Sequence, residues 1–235
     1  MKRKSILAVL IALVVCLCSA SLAWGDSLQV GGVAGGWEMN GKTGTYVTKA
    51  EKKIFNKATA KLSGVTYKPV VVLASQTVAG MNYAYFCKAT TVTAKPKVSW
   101  KVVVVGKDLE GKASILAINN FNYKKISTLK KAKSTSGMSG AWEVNAKKLT
   151  SKGIPAAAKK AINKAKKKYK KVSLTPLALL SSQVVSGTNY RFLCSGKAKG
   201  SSDVGLYAVD VYKDLKGNAK IKSCKLINID KYVKY

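Results

Sequence analysis

Few side chains in this sequence could carry out chemistry on a substrate. The 235 residues include ten acidic residues and five cysteines but no histidine. Without imidazole, the Ser-His-Asp and Cys-His nucleophile arrangements and the zinc sites built on histidine are excluded. The carboxylates occur singly, without the paired spacing of an acid–base catalyst or a metal cluster. We therefore predict that the protein is not an enzyme and has no metal or cofactor.

The cysteines are not predicted to act as nucleophiles. Cys87 and Cys194 fall on the apolar face of predicted strands, without a base to activate them, so we interpret them as core thiols. Cys224 falls on a strand expected to lie two positions from that of Cys194, about 9.5 Å away at ~4.8 Å per strand. A disulfide needs Cα atoms within about 7 Å. We predict no bridge within this pair, and the odd count after residue 23 leaves a free thiol or an intermolecular bridge.

A five-residue pattern that could bind another protein occurs twice. Gln76-Thr77-Val78-Ala79-Gly80 matches Gln183-Val184-Val185-Ser186-Gly187, and each lies between two predicted strands and is followed one residue later by Asn-Tyr. Glycine has no side chain and adopts positive φ, so such a tip can approach a partner's backbone closely. An ordinary hairpin turn is the alternative, but the usual Asn-Gly or Asp-Gly is missing from both copies. The pattern therefore favours binding.

The same register runs through the rest of the chain. Gly36-Trp37-Glu38 returns as Ala141-Trp142-Glu143, and Asp108-Leu109-Glu110-Gly111 returns as Asp214-Leu215-Lys216-Gly217, at offsets of 105 to 107 residues. A repeat of this size indicates two homologous domains. We predict domains at residues 24–126 and 140–235 with a linker at 127–139.

Residues 1–23 have the composition of a secretory signal peptide. A basic start at Lys2-Arg3-Lys4 precedes an apolar run from Ile6 to Leu17, and Ser21-Leu22-Ala23 fits a small-residue cleavage site. We therefore predict that the protein is secreted and that no stable membrane span remains after cleavage.

Each copy is predicted to contain one helix and a set of antiparallel strands. Thr48 and Glu51 form a capping box before an apolar stripe from Val47 to Leu62, and Pro155 begins a second stripe that ends at Tyr169. Alternating apolar residues then predict strands near 67–75, 81–93, 98–105 and 112–119, with turns at 76–80 and 108–111. The predicted fold class is α+β: two domains, each one helix packed on an antiparallel β-meander.

On these residues the sequence resembles the cystatins, protein inhibitors of papain-like cysteine proteases. The resemblance rests on the glycine pair, the helix, the Gln-x-Val-x-Gly hairpin with its Asn-Tyr continuation, and the second hairpin, and it implies two cystatin-like domains. It also implies reversible inhibition by a wedge that enters the protease cleft. The implied protease-binding residues are Gly35, Gly36 (or the earlier Gly31 and Gly32), Gln76, Thr77, Val78, Ala79, Gly80, Asp108, Leu109, Glu110 and Gly111 in the first copy, and Gly140, Gln183, Val184, Val185, Ser186, Gly187, Asp214, Leu215, Lys216 and Gly217 in the second.

The charge of the chain favours a second kind of partner. The formal net charge is +32, and residues 145–172 contain eleven lysines. A face of this kind could bind an anionic cell-wall or cell-surface polymer, although a solubilising role explains it equally well. Only two arginines are present and no stacking aromatic residues are evident, which argues against nucleic acid. The alternative function is therefore a non-inhibitory module that attaches to an anionic polymer or to another protein. A third is a structural pair of domains whose strand edges recruit a partner strand.

Overall fold

The computed structural model describes residues 35–39, 47–122, 142–144 and 153–235. The predicted signal peptide, the predicted linker, Gly31, Gly32 and Gly140 lie outside these described residues.

Each copy forms a five-stranded antiparallel sheet in which the strands neighbour each other in chain order. The strands of the first sheet are β1 (Trp37–Met39), β2 (Val65–Val78), β3 (Gly80–Thr91), β4 (Val98–Lys107) and β5 (Ala113–Asn120). Those of the second are β6 (Glu143–Val144), β7 (Val172–Val185), β8 (Gly187–Ala198), β9 (Val204–Lys213) and β10 (Ala219–Ile227). The short β1 and β6, which pair with β2 and β7, were missed by the sequence analysis.

Within the described residues, three helices accompany the sheets: α1 (Lys49–Thr59), α2 (Ala156–Lys167) and α3 (Asp230–Val233). The capping box predicted for α1 is confirmed, because the Thr48 hydroxyl accepts from the Glu51 N–H and the Glu51 carboxylate accepts from the Thr48 N–H. The Tyr85 hydroxyl donates to the Glu51 carbonyl and ties α1 to the sheet beneath it. In α2 the predicted stripe is also confirmed, since Ala158, Ile162 and Ala165 are buried.

Successive residues of the long strands enter two different cores. In β3, Tyr85 and Cys87 pack beneath α1, while Ala84 and Phe86 point to the opposite face of the sheet. In β8, Phe192 packs beneath α2 and its neighbour Leu193 packs on the opposite face. This alternation follows from the two-residue period of a strand, and it leaves both faces of each sheet apolar.

The second face of each sheet is buried against the other sheet. One core contains Leu73, Phe86 and Trp100 from the first copy together with Leu180 and Leu193 from the second. Inside it, the Trp100 indole N–H donates a 3.0 Å hydrogen bond to the Leu180 carbonyl. The two sheets thus share a core, and α1 and α2 cover the outer faces.

The predicted fold class is therefore wrong. Strands account for 54% of the structure and helices for 16%, and two five-stranded sheets with only short helices replace two cystatin-like domains of one helix on a meander. The physical reason is the apolar character of both strand faces. A single helix can cover only one of them, so each sheet buries the other against a second sheet.

The predicted turn at residues 76–80 is also too long. The ladder between β2 and β3 continues to the pair Val78 and Gly80, and only Ala79 separates the two strands. The second copy repeats this arrangement with Val185, Ser186 and Gly187.

The predicted separation of Cys194 and Cys224 is confirmed. Cys194 lies opposite Tyr207 and Cys224 opposite Val209, so β9 runs between the two cysteine strands. Cys87, Cys194 and Cys224 are free thiols.

Candidate functional site

The tip of the β2–β3 hairpin presents three small side chains to solvent. Thr77, Val78 and Ala79 are exposed, and Val78 has 43% of its surface accessible. The strands on both sides of the tip are hydrogen-bonded in register as far as Val78 and Gly80. The exposed valine therefore lies at the end of a rigid ladder and not on a loose loop.

The glycine of each tip is required by the fold itself. Gly80 has φ +119° and Gly187 has φ +117°, a region that side chains other than glycine rarely adopt. A Cβ atom on Gly80 would also overlap the Lys107 carbonyl oxygen of β4, and one on Gly187 would overlap that of Lys213 in β9. The two glycines allow each tip to pack on its own sheet. A partner would therefore contact the exposed residues that precede the glycines.

The glutamine of the first tip holds the glycine segment in place. Its Nε2 donates a 2.6 Å hydrogen bond to the Gly35 carbonyl, and its Oε1 accepts from Asn82 Nδ2 at 2.8 Å and from the Tyr235 hydroxyl at 3.0 Å. Asn82 Nδ2 also donates to the Tyr235 hydroxyl at 2.9 Å. Gln76 therefore turns inward and contributes order to the site, while Gly35 and Gly36 beside it are exposed.

The second hairpin of the first copy lies at the same end of the sheet. Met81 pairs with Lys107, so the turn after β4 is adjacent to the β2–β3 tip. The carboxylate of Asp108 accepts from the Lys112 N–H at 2.7 Å and closes this turn, which leaves Leu109 83% exposed. We call the set formed by Gly35, Gly36, Gln76 to Gly80 and Asp108 to Gly111 the first edge. The structure brings together all the residues predicted for the first copy that it describes.

The second copy forms a corresponding set, which we call the second edge and which consists of Gln183 to Gly187 with Asp214 to Gly217. Thr188 pairs with Lys213 and so brings tip and turn together. The exposed large apolar side chains at this edge are Val184, 64% exposed, and Leu215, 84% exposed. Asn189 Nδ2 donates to Gln183 Oε1 at 2.8 Å, as Asn82 does in the first copy. Hydrogen bonds from the Asn218 side chain and backbone lower the pKa of Asp214, which closes the turn.

Cys87 and Cys194 lie inside β3 and β8 and not at the edges. The thiols of Cys87 and Cys194 are fully buried, and burial raises the pKa of both well above the ordinary value of a cysteine. Within the described ranges, no three histidine, cysteine, aspartate or glutamate side chains are grouped so that they could hold a metal ion.

The lysines of the second copy form a separate surface on α2. We call the exposed side of this helix and of the segment after it the lysine face, formed by the exposed Lys159, Lys160, Lys164, Lys167, Lys168, Lys170 and Lys171 together with the half-buried Lys166. The helix itself contains no acidic residue. Two of these lysines are held by carbonyl groups, since Lys164 Nζ donates to Gly217 at 3.0 Å and Lys166 Nζ to Leu174 at 3.2 Å.

Two features near the edges were not predicted from the sequence. Tyr212 donates a 2.5 Å hydrogen bond from its hydroxyl to the Ser186 carbonyl at the second tip, and Tyr235 reaches the first tip from the end of the second copy. The repeat contained one clue, because Tyr212 replaces Gly106 of the first copy at the position opposite the tip asparagine. Nothing in the sequence pattern placed Tyr235 beside Gln76, 159 residues away.

No protein-family model matches the chain, and no curated protein is significantly similar to it. The resemblance to cystatins therefore rests on the motif residues alone and stays an interpretation. Among the described residues, no helix is both long and apolar enough to span a membrane.

Proposed function

We propose that this protein is an exported, reversible protein inhibitor of papain-like cysteine proteases, the class that the resemblance to cystatins implies. The observation that carries the proposal is the first edge, where an exposed glycine segment, a hairpin tip and a second turn lie side by side. Val78 and Leu109 are its exposed large apolar side chains. Transfer of such side chains from water into a protease cleft is favourable, at roughly 25 cal/mol per Å² of apolar surface removed from water.

The rigidity of the edge favours affinity. Gln76 fixes Gly35 through a 2.6 Å hydrogen bond, and the strands keep their register up to Ala79. A partner therefore does not have to order a mobile loop, which lowers the entropic cost of association. Gly35 and Gly36 are exposed and present a backbone that a cleft can contact closely.

Inhibition is proposed to be non-covalent. The tip passes from one strand to the next through Ala79 alone, so its peptide bonds belong to a closed hairpin and not to an extended, substrate-like segment. The buried thiols of Cys87 and Cys194 take no part in bonding to the protease. We therefore expect full recovery of protease activity when the complex is diluted.

The second edge is proposed to act on the same class of enzyme with a different preference. The first edge presents Glu110 where the second presents Lys216, and both residues are exposed. A change of charge at the rim of an interface mainly alters partner choice and association rate.

The inhibition assay uses residues 24–235 and papain. We expect inhibition that is reversed by dilution, and a roughly tenfold or greater loss when Val78→Asp and Val184→Asp are combined, because a buried carboxylate would be left without a partner. Val92→Asp is the matched control: Val92 is 66% exposed and follows β3 at the end of the sheet remote from the tip. Absence of inhibition at micromolar protein, or equal inhibition by the tip variant and the wild type, would refute the proposal.

The second candidate function is attachment to an anionic cell-surface polymer, and the lysine face favours it. Lys159, Lys160 and Lys167 are exposed on a helix without carboxylates, so their charges are not neutralised within it. Binding of this kind releases counterions and weakens steeply with salt.

Retention on immobilised heparin tests this second candidate. Charge reversal of Lys159, Lys160 and Lys167 to Glu is expected to lower the eluting salt concentration more than reversal of Lys49, Lys52 and Lys53 on α1, the matched control helix. Equal shifts for the two triple variants would indicate attraction by net charge alone and would remove the lysine face as a binding surface.

A further inference from the structure

Tyr235 belongs to the second copy of the repeat but hydrogen-bonds within the first edge. Its hydroxyl donates to Gln76 Oε1 at 3.0 Å and accepts from Asn82 Nδ2 at 2.9 Å. Asn82 is 6% exposed, and it also donates directly to Gln76 Oε1 at 2.8 Å. The three side chains form a closed triangle in which every bond joins a donor to an acceptor.

The triangle determines which way the Gln76 amide faces. With Asn82 and Tyr235 both donating to Oε1, the opposite arrangement would turn the Nε2 group toward the Asn82 Nδ2 donor and lose that bond, and the Tyr235 hydroxyl would have to accept instead of donate. The Nε2 group is thereby directed to the Gly35 carbonyl, to which it donates at 2.6 Å. The orientation of one amide thus links Tyr235 to the glycine segment of the first edge.

The segment that carries Tyr235 is itself attached to the first sheet. Asn119 Nδ2 donates to the carbonyls of Tyr232 at 2.9 Å and Lys234 at 3.0 Å, and the rings of Tyr232 and Phe121 lie 4.9 Å apart. The segment that precedes Tyr235 is therefore held against the first sheet, and this places the Tyr235 hydroxyl at the tip. The Tyr235 side chain is itself 62% exposed.

A tyrosine hydroxyl hydrogen-bonds to each tip, but the two tyrosines occupy different positions in the repeat. In the second copy, Tyr212 lies on the adjacent strand β9 and donates to the Ser186 carbonyl at 2.5 Å. The first copy has Gly106 at that position, and a Cβ atom there would lie 3.2 Å from Asn82 Oδ1. The first copy thus lacks a tyrosine of its own at this position, and Tyr235 supplies a hydroxyl to its tip.

We infer that Tyr235 is a positioning residue for the first edge, through which the second copy of the repeat holds the binding surface of the first in its competent geometry. The effect on protease binding rests on the proposed function, whereas the effect on the conformation of the tip does not. Tyr235 acts through Gln76 and Gly35 and is not required to contact the protease.

The test compares Tyr235→Phe with the matched control Tyr212→Phe, each of which removes one hydroxyl and keeps the ring. In the free protein, we expect Tyr235→Phe to shift the NMR signals of the Asn82 and Gln76 side-chain amides and to speed amide hydrogen exchange near Gly35 and Thr77. Tyr212→Phe is expected to change the second tip and leave these signals unmoved. Asn119→Ala, which frees the segment without touching the tip, is expected to reproduce the change at Asn82.

Inhibition of papain is measured for the same variants in a chain that also carries Val184→Asp. This substitution is expected to remove inhibition by the second edge, so that the measured inhibition comes from the first edge. Loss of hydrogen bonds of ordinary strength predicts an inhibition constant raised roughly three- to tenfold by Tyr235→Phe, mainly through faster dissociation. Unchanged Asn82 and Gln76 signals, or the same shifts with Tyr212→Phe, would overturn the inference. If the wild type does not inhibit while the signals move as expected, the proposed function fails and the positioning role stands.

Discussion

Gln76 donates a 2.6 Å hydrogen bond from its side-chain Nε2 to the carbonyl oxygen of Gly35, a residue 41 positions earlier in the chain. This bond attaches the glycine segment to the hairpin tip without any contribution from the tip's own exposed side chains. The glutamine of the repeated motif thus has a role inside the molecule, and the exposed residues after it remain available to a partner.

Gln76→Glu is predicted to release the glycine segment selectively. Glutamate keeps the oxygen that accepts from Asn82 and Tyr235 but puts a second oxygen where Nε2 donates, so it repels the Gly35 carbonyl. We expect inhibition by the first edge to weaken by roughly tenfold, the equivalent of about 1.4 kcal/mol. The measurement is the inhibition constant for papain, with Gln183→Glu as the control in the second copy. Equal effects of the two substitutions on the first edge would contradict the selective role.

Gly80→Ala is predicted to destabilise the protein more than Gly111→Ala. Both glycines have positive φ, but only at Gly80 would the new methyl group overlap a backbone oxygen, that of Lys107. Gly111 has open space around it, so its replacement should cost only the conformational strain of about 1–2 kcal/mol. Urea unfolding of the two variants measures the difference. A Gly80→Ala loss no greater than that of Gly111→Ala would show that the tip can move away from β4 at little cost.

The cysteines are predicted to react in order of their burial. Burial raises the pKa of Cys87 and Cys194 well above 9.0 and also raises that of the half-buried Cys224, so all three are largely protonated at pH 8. Cys224 is expected to react first with a thiol reagent, while the other two react only when the protein opens. Cys224→Ser should remove the fast phase. A second fast thiol in that variant would contradict the burial of Cys87 or Cys194.

The same buried thiols are predicted to make the free energy of unfolding decrease as the pH rises above about 9. In the unfolded chain they lose their protons as the pH rises through about 9, whereas in the folded protein the raised pKa keeps the protons bound. The unfolded state then binds fewer protons than the folded state, so this contribution to stability is present below pH 9 and declines above it. Urea unfolding between pH 7 and pH 10 measures the decline, and replacement of Cys87 by Ala should reduce it.

The sequence predicted the local elements better than the way in which they assemble. The capping box at Thr48 and the stripe of α2 were correct because each depends on residues within a few positions of one another. The predicted packing of one helix on one sheet was wrong because the strands are apolar on both faces. The strand at 81–93 was predicted from the alternation of Tyr83, Tyr85, Cys87 and Ala89 with Asn82 and Lys88, although Ala84 and Phe86 between them are also apolar and both are fully buried.

The candidate site shows the same division. The exposed tip residues and the adjacent turn follow from hairpin connectivity, which the repeat made readable. The position of Tyr235 could not be predicted from the sequence. Its contact with Gln76 depends on how the two sheets and the final segment pack, and no local pattern encodes that packing. The run Val102–Val105 was the missed signal, since a continuous apolar strand is typical of a sheet buried on both faces.

A buried ion pair distinguishes the two copies and gives the last prediction. Arg191 Nε donates to Asp210 Oδ1 at 2.7 Å, each residue is 2% exposed, and the guanidinium lies 4.1 Å from the centre of the Trp142 ring. At the corresponding positions the first copy has Ala84 and Val104, which are also paired in register and fully buried. The fold therefore accepts an apolar pair at this place.

Arg191→Met alone is predicted to cost roughly 3–5 kcal/mol of unfolding free energy, because it leaves the Asp210 carboxylate buried without its cation. Asp210→Val alone leaves the buried guanidinium without its carboxylate, and the contact with the Trp142 ring compensates only part of that loss. The double variant removes both charges and resembles the first copy, so it should be much more stable than the sum of the single losses predicts. A double-mutant cycle in urea measures this coupling. Additive losses would mean that the two charges are stabilised independently of each other.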